Sequence, residues 1–153
     1  MGEKYQIDST DRQILNFLLA DARMPYLEIA RKLIVSGGTV HQRIERLKQA
    51  GIICGSSINL SYKALGFDVQ VFLGVHLTSS KELQNVIEQL KALPEVVEAH
   101  YTTGNYALLL KVMTKNIGDF HQFLAHKIQS IEAVQATESF ISLDQPIQKT
   151  VSL

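Results

Sequence analysis

A single cysteine, Cys54, excludes an internal disulfide and a cysteine-built zinc site. There is no tryptophan, and the chain has only 3 prolines. No apolar run approaches the ~18 residues that span a bilayer. The opening Met-Gly-Glu-Lys-Tyr-Gln-Ile-Asp lacks an apolar signal core, so the expected address is cytoplasmic. Charge of one sign is lacking too: 15 Lys and Arg balance 15 Asp and Glu, which excludes a chain basic along its whole length. A net charge near zero also favours self-association. No Gly-x-Gly-x-x-Gly fingerprint or Gly-Lys-Ser/Thr loop is present. His121 and His126 are spaced wrongly to share a helix face as metal ligands, and His41, His76 and His100 stand alone. Glu95 and Glu98 read as solvated acids at a strand entry. The expectation is therefore a protein without catalytic residues, metal or cofactor.

What is present is a folded-type composition, 46% hydrophobic and 20% charged over 153 residues. The charge is unevenly placed. Residues 23–50 carry Arg23, Arg31, Lys32, Arg43, Arg46 and Lys48 against only Glu28 and Glu45. Periodicity changes as well. Apolar residues recur at helical spacing as far as Ala50 and alternate with period two from Phe67. The reading is a helical domain over 1–54, a hinge over 55–66 with a short strand around Ser57–Leu60, and a second domain over 67–153.

Three helices are expected in the first domain. Thr10 and Gln13 suggest a capping box ahead of the stripe Ile14, Leu15, Leu18, Leu19 and Ala22. Pro25 opens a second helix with Leu27, Ala30, Leu33 and Ile34 inward. Ser36 caps a third, ended by Gly51, with Val40, Ile44 and Leu47 inward. That leaves Thr39, Gln42, Arg46 and Gln49 on the opposite side, flanked by Arg43 and His41. Arg bonds guanine bidentately, Gln bonds adenine, and Thr touches the thymine methyl, so this face suits a major groove. Helix, short turn and helix have the length of a helix-turn-helix with the third helix reading. The DNA-facing set is Ser36, Gly37, Thr39, His41, Gln42, Arg43 and Arg46; a merely solvated polar face is the alternative. Gly37 and Gly38 in the first turn admit two explanations, close approach of backbone amides to a phosphate or tight packing of the turn.

The second domain reads strand (68–78), helix (80–92), strand (96–102), strand (106–113), helix (117–130), strand (133–143). The segments 94–99 and 131–136 echo one another after each helix. Two such halves give an α+β, ferredoxin-like βαββαβ sandwich with helices on one face. Its open face would carry Phe72, His76 and Tyr101 and would need covering, most simply by a second copy. Thr103-Gly104-Asn105 reads as a tight turn, with Ile117, Phe120, Leu124 and Ile128 buried from the helix beyond.

Five separated blocks then agree with one known family: Ile-Asp-x-x-Asp-Arg-x-Ile-Leu (7–15), Asp-Ala-Arg-Met-Pro-Tyr-Leu-Glu-Ile-Ala-Arg (21–31), Val-Ser-Gly-Gly-Thr-Val-His-Gln-Arg-Ile (35–44), Leu-Lys-Gln-Ala-Gly-Ile-Ile (47–53) and Tyr-Thr-Thr-Gly-Asn-Tyr (101–106). In order and over essentially the whole chain, they resemble the Lrp/AsnC transcriptional regulators. The resemblance implies a winged helix-turn-helix, a hinge strand and an amino-acid-binding ferredoxin-like domain that dimerises through its sheet. Assembly of four dimers into an octamer follows by the same implication, as does an effector pocket between dimers beside the Thr-Gly turn. It points to Tyr101, Thr102, Thr103, Gly104, Asn105 and Tyr106, with Gln129, Thr137 and Ser139 from a neighbouring subunit, and to L-asparagine as effector. Two departures stand out: Ala107 replaces an Asp common in the family, and the proline common near Gly37 is missing. The function expected is a sequence-specific DNA-binding regulator of amino-acid metabolism genes. A ligand-independent protein that wraps DNA, or a small enzyme on the same fold, are the competing readings.

Overall fold

The computed structural model describes residues 5–153; residues 1–4, on which the export reading drew, lie outside the described residues. The chain forms two compact units, one reaching to Asn59 and including Ile147–Leu153, the other spanning Leu60–Pro146.

In the first unit, α1 (Ser9–Ala20), α2 (Tyr26–Leu33) and α3 (Gly37–Gln49) pack around Ile14, Ile29, Ala30, Val40 and Ile44. Helix α1 starts two residues earlier than the Thr10–Gln13 pattern suggested. Asp8 is the N-cap: its carboxylate accepts the Asp11 N–H at 2.8 Å while Asp11 accepts the Asp8 N–H at 3.2 Å. A carboxylate outcompetes the Thr10 hydroxyl because it also complements the positive end of the helix dipole. In α2 the inward residues are Ile29 and Ala30, whereas Leu27 is 64% exposed and Ile34 93% exposed. For Ile34 the helix stops at Leu33 and a left-handed conformation (φ 57°, ψ 44°) turns its side chain outward, while Leu27, in the first turn, lies beside Gly37 of α3. Helix α3 follows the sequence reading: the Ser36 hydroxyl accepts the Thr39 N–H at 3.0 Å, and Val40, Ile44 and Leu47 are buried. Gly51, at φ 70°, carries the chain out of it.

Among the described residues no strand pairs over 55–66, so the short strand expected around Ser57–Leu60 finds no ladder there. A 3₁₀ turn at Lys63–Leu65, closed by Gly66, stands there instead. The closing residues Ile147–Leu153 group with the helices rather than the sheet; Thr150–Leu153 share a shallow groove with Asn16, Leu19 and Ala20.

The second unit runs β1 (Val69–Leu77), a 3₁₀ turn, α4 (Leu83–Lys91), β2 (Val96–Tyr101), β3 (Leu108–Thr114), α5 (Ile117–Phe123), β4 (Val134–Ile141). The sheet is antiparallel in the order β2-β3-β1-β4, which is the ferredoxin-like arrangement. Val69, Val71, Leu73 and Val75 of β1 and Leu108, Leu110 and Val112 of β3 meet Val86, Leu90, Phe120, Phe123 and Ile128 from the helical layer. Helix α5 continues as a wide π turn over Leu124–Ile128, which keeps Ile128 in the core and puts Gln129 on the surface. Ile117, expected inside, is exposed at the first position of α5.

A β-branched residue in the left-handed region carries strain of about 1–2 kcal/mol. Ile34 has almost no packing to lose, so Ile34→Gly is expected to raise the unfolding free energy of the helical unit by about 1 kcal/mol. Urea denaturation followed by circular dichroism would read the change; an unchanged midpoint would contradict it.

Candidate DNA interface and effector site

Burial of Val40, Ile44 and Leu47 fixes which side of α3 faces outward. Gln42, Arg46 and Gln49 are exposed on it, with Thr39 half-buried at its start. The Thr39 and Ser36 hydroxyls lie 2.8 Å apart, joining the cap to the first turn. His41 lies beside Tyr26 of α2, ring centroids 6.0 Å apart. Lys48 pairs with Glu45 at 2.8 Å along the helix, which depresses the Glu45 carboxyl and raises the Lys48 ammonium.

The two glycines now separate. A Cβ on Gly37 would come within 2.8 Å of Leu27 Cδ2, so this position is matched to the approach of α2. A Cβ on Gly38 would meet nothing nearer than Ser36 Oγ at 3.7 Å, so packing does not require that glycine.

Arg43 is placed differently from the rest of the DNA-facing set. Its guanidinium turns back to α1, with Nη1 2.6 Å from Asp8 Oδ2 and 2.9 Å from Asp11 Oδ1. Asp11 is 1% exposed, and its other oxygen accepts the Tyr5 hydroxyl at 3.0 Å. The Asp8 carboxyl is held below the usual carboxylate range, first by the Asp11 N–H and then by Arg43. The same two acids raise Arg43, and burial followed by the bond to Asp11 raises Tyr5. The sequence reading of Arg43 missed Asp8 and Asp11 as its partners. Their three-residue spacing signals the capping box, but nothing in the sequence ties it to Arg43, more than thirty residues on.

In the second unit Tyr101, Thr102, Thr103, Gly104, Asn105 and Tyr106 are contiguous, but the link is wider than a tight turn. Thr102 N–H reaches the Ala107 carbonyl at 3.1 Å, and the Thr102 hydroxyl donates to the Tyr106 carbonyl. Gly104 is not among the positive-φ glycines, so its left-handed freedom goes unused. Thr103, Gly104 and Asn105 are exposed.

Register assigns the faces. Tyr101 pairs with Leu108, Thr137 with Val75 and Ser139 with Leu73, partners that are all buried on the helix-covered side. Tyr101 therefore does not belong to the open face, a correction to the alternation read from sequence. It follows because the irregular register between Val96 and Glu98 offsets β2. The open face carries Phe72, Gly74 and His76 of β1 with Glu138 and Phe140 of β4. Tyr106 lies across it: the ring covers Gly74, stands 5.2 Å from His76 and 6.4 Å from Phe140, and its hydroxyl donates to Glu138. That bond, then burial, raises the Tyr106 phenol. Gln129 lies in the helical layer. One chain thus joins the 101–106 segment but keeps Thr137 and Ser139 on the face opposite the Tyr106 ring.

Glu138 and Gly74 were not singled out from sequence. A lone glycine in an alternating strand is the signal of close approach by another group, and at Gly74 that group is Tyr106.

A three-helix unit with an exposed polar recognition-helix face, followed by a ferredoxin-like sandwich, defines a helix-turn-helix regulator with a separate regulatory domain. The Lrp/AsnC ligand binding domain matches residues 70–152, and the AsnC-type helix-turn-helix domain matches residues 7–48. Regulatory protein AsnC of Haemophilus influenzae is 47% identical over 147 residues, 96% of this chain and 98% of that one. Regulatory protein AsnC of Escherichia coli is 46% identical over 149 residues, 97% of this chain and 98% of that one. The solved structure of E. coli AsnC aligns with a TM-score of 0.94 at 44% identity, covering 97% and 100% of the two chains. A Neisseria meningitidis transcriptional regulator solved as an L-Met complex aligns with a TM-score of 0.89 at 25% identity, covering 97% and 96%. The chain belongs to the Lrp/AsnC family. It is a DNA-binding transcriptional regulator that responds to an amino acid, and not an enzyme.

Because a Cβ on Gly74 would fall 2.6 Å from the Tyr106 ring, Gly74→Ala is expected to destabilise the sheet unit by about 1–3 kcal/mol through overpacking. In a Tyr106→Ala background the same change should cost almost nothing. Thermal melts of the four proteins give the cycle, and equal costs in both backgrounds would contradict the contact.

Proposed function

We propose that this regulator takes L-asparagine as its effector, acts in the cytoplasm on genes of amino-acid metabolism, and works as a sheet-paired homodimer assembling to an octamer. The near full-length likeness to Regulatory protein AsnC carries this reading. Chemistry at the 101–106 segment supports a small polar ligand. Exposed Thr103 and Asn105 offer hydroxyl and amide groups, and backbone amides around Gly104 suit a carboxylate. From a neighbouring subunit, Gln129, Thr137 and Ser139 would reach that ligand. With Ala107 offering no carboxylate, the ligand's amine is left to carbonyl oxygens or another side chain. Apolar residues on the open sheet face, Phe72 and Phe140, support pairing through it.

On DNA, we place α3 in the major groove, with Arg46 and Gln42 on base edges, Thr39 and His41 beside them, and Ser36 and Gly37 presenting the helix start to a phosphate. By linkage, asparagine must bind two states of the protein unequally, and DNA must shift asparagine affinity by the same factor.

The test is binding to a duplex from upstream of the protein's own gene, with and without millimolar asparagine, beside a scrambled duplex and a salt titration. Clear preference for the upstream duplex and an asparagine-dependent shift are expected. Equal binding to both duplexes with no asparagine effect would favour a protein that wraps DNA without reading it. Arg46→Ala should relax base preference, whereas Lys48→Ala should mainly lower the salt slope, by about one. Equal loss on every sequence for Arg46→Ala would remove its base-reading role.

A further inference from the structure

We infer that Arg43 is a positioning residue for the reading helix and contacts no nucleic acid, its guanidinium being held through Nη1 by Asp8 and Asp11 of α1. The inference rests on the proposed DNA-reading role of α3. A single nitrogen, Nη1, bonds both carboxylates, at 2.6 and 2.9 Å. All four oxygens of the two acids are engaged. Asp8 Oδ1 accepts the Asp11 N–H, and Asp11 Oδ2 accepts the Asp8 N–H and the Tyr5 hydroxyl. One cation against two anions leaves the cluster net negative. A phosphate approaching Arg43 would meet that net charge, so the residue contributes no counterion release.

The cluster also sits where it controls the angle of α3. Val40, Ile44 and Leu47 hold the helix from inside, and Arg43, on the flank, ties it to the capped end of α1. Together they fix rotation about the helix axis. A turn of ~20° about a helix ~5–6 Å in radius moves the side-chain tips by about 2 Å, enough to break a bidentate hydrogen bond to a base.

The experiment uses the full chain and reads binding to the upstream and scrambled duplexes across a salt series. Arg43→Gln is expected to weaken the upstream duplex about tenfold while leaving the scrambled duplex and the salt slope unchanged. Asp8→Asn removes a negative charge yet keeps a good N-cap. It is nonetheless expected to weaken the upstream duplex two- to fivefold. A salt slope lowered by about one with equal loss on both duplexes in Arg43→Gln, or tighter binding to both in Asp8→Asn, would overturn the inference. Should Arg43→Gln fail to fold, Arg43→Lys decides. Its single ammonium can meet both carboxylates as Nη1 does, so retained discrimination with an unchanged salt slope supports positioning, and lost discrimination with unchanged exchange in α3 refutes it.

A second readout needs no DNA. Amide hydrogen exchange in α3 should accelerate in Arg43→Gln and Asp8→Asn, and unchanged rates would refute the anchoring. If the wild-type protein itself fails to distinguish the two duplexes, the DNA-reading proposal falls, and the exchange experiment still decides whether Arg43 anchors α3.

Discussion

A carboxylate that is 1% exposed, Asp11, is the constraint on which the helical unit turns. Burying it is tolerable only because Arg43, the Asp8 N–H and the Tyr5 hydroxyl satisfy it together. Leaving such a group without its cation costs roughly 3–5 kcal/mol, a large share of a small unit's stability. The same cluster caps α1 through Asp8 and ties α1 to α3. One arrangement therefore starts a helix, fills the boundary between two helices and sets which side of α3 looks outward. The outward face, with Gln42, Arg46 and Gln49, follows from what is held inside.

The sheet unit obeys a simpler rule. Alternation along β1 sends Val69, Val71, Leu73 and Val75 to the helices, and Phe72, Gly74 and His76 to the other side. Tyr106 then lies back over Gly74 and reaches Glu138, so the open face is partly closed by its own chain. This places a titratable, aromatic cluster directly beside the exposed 103–105 segment. Any ligand held by that segment would find Tyr106 as its neighbour on the sheet side.

Much of this was legible in the sequence because the signals were long or chemically specific. The burial of Val40, Ile44 and Leu47, the Ser36 cap, the succession of strands and helices in the sandwich and the family blocks all came from patterns several residues deep. What failed was local or depended on partners distant in sequence. The cap moved from Thr10 to Asp8 because a carboxylate suited the helix start better. Ile34 faced outward because α2 ended one residue early, Leu27 lay against Gly37 at the start of α3, and Tyr101 changed faces through an irregular strand register. For the sites, Gln42, Arg46 and the 101–106 segment were named from sequence. The engagement of Arg43 by acids more than thirty residues away was not, since only the fold brings them together.

The claim at the centre of this account is that the outward face of α3 reads bases while its flank is anchored internally. Methylation interference at guanine N7 across the upstream duplex tests it most directly. Wild-type and Arg43→Lys proteins should share interference sites, whereas Arg46→Ala should lose interference at one guanine per half-site and keep the others. An identical interference pattern for wild type and Arg46→Ala, with a guanine lost only in Arg43→Lys, would contradict the account.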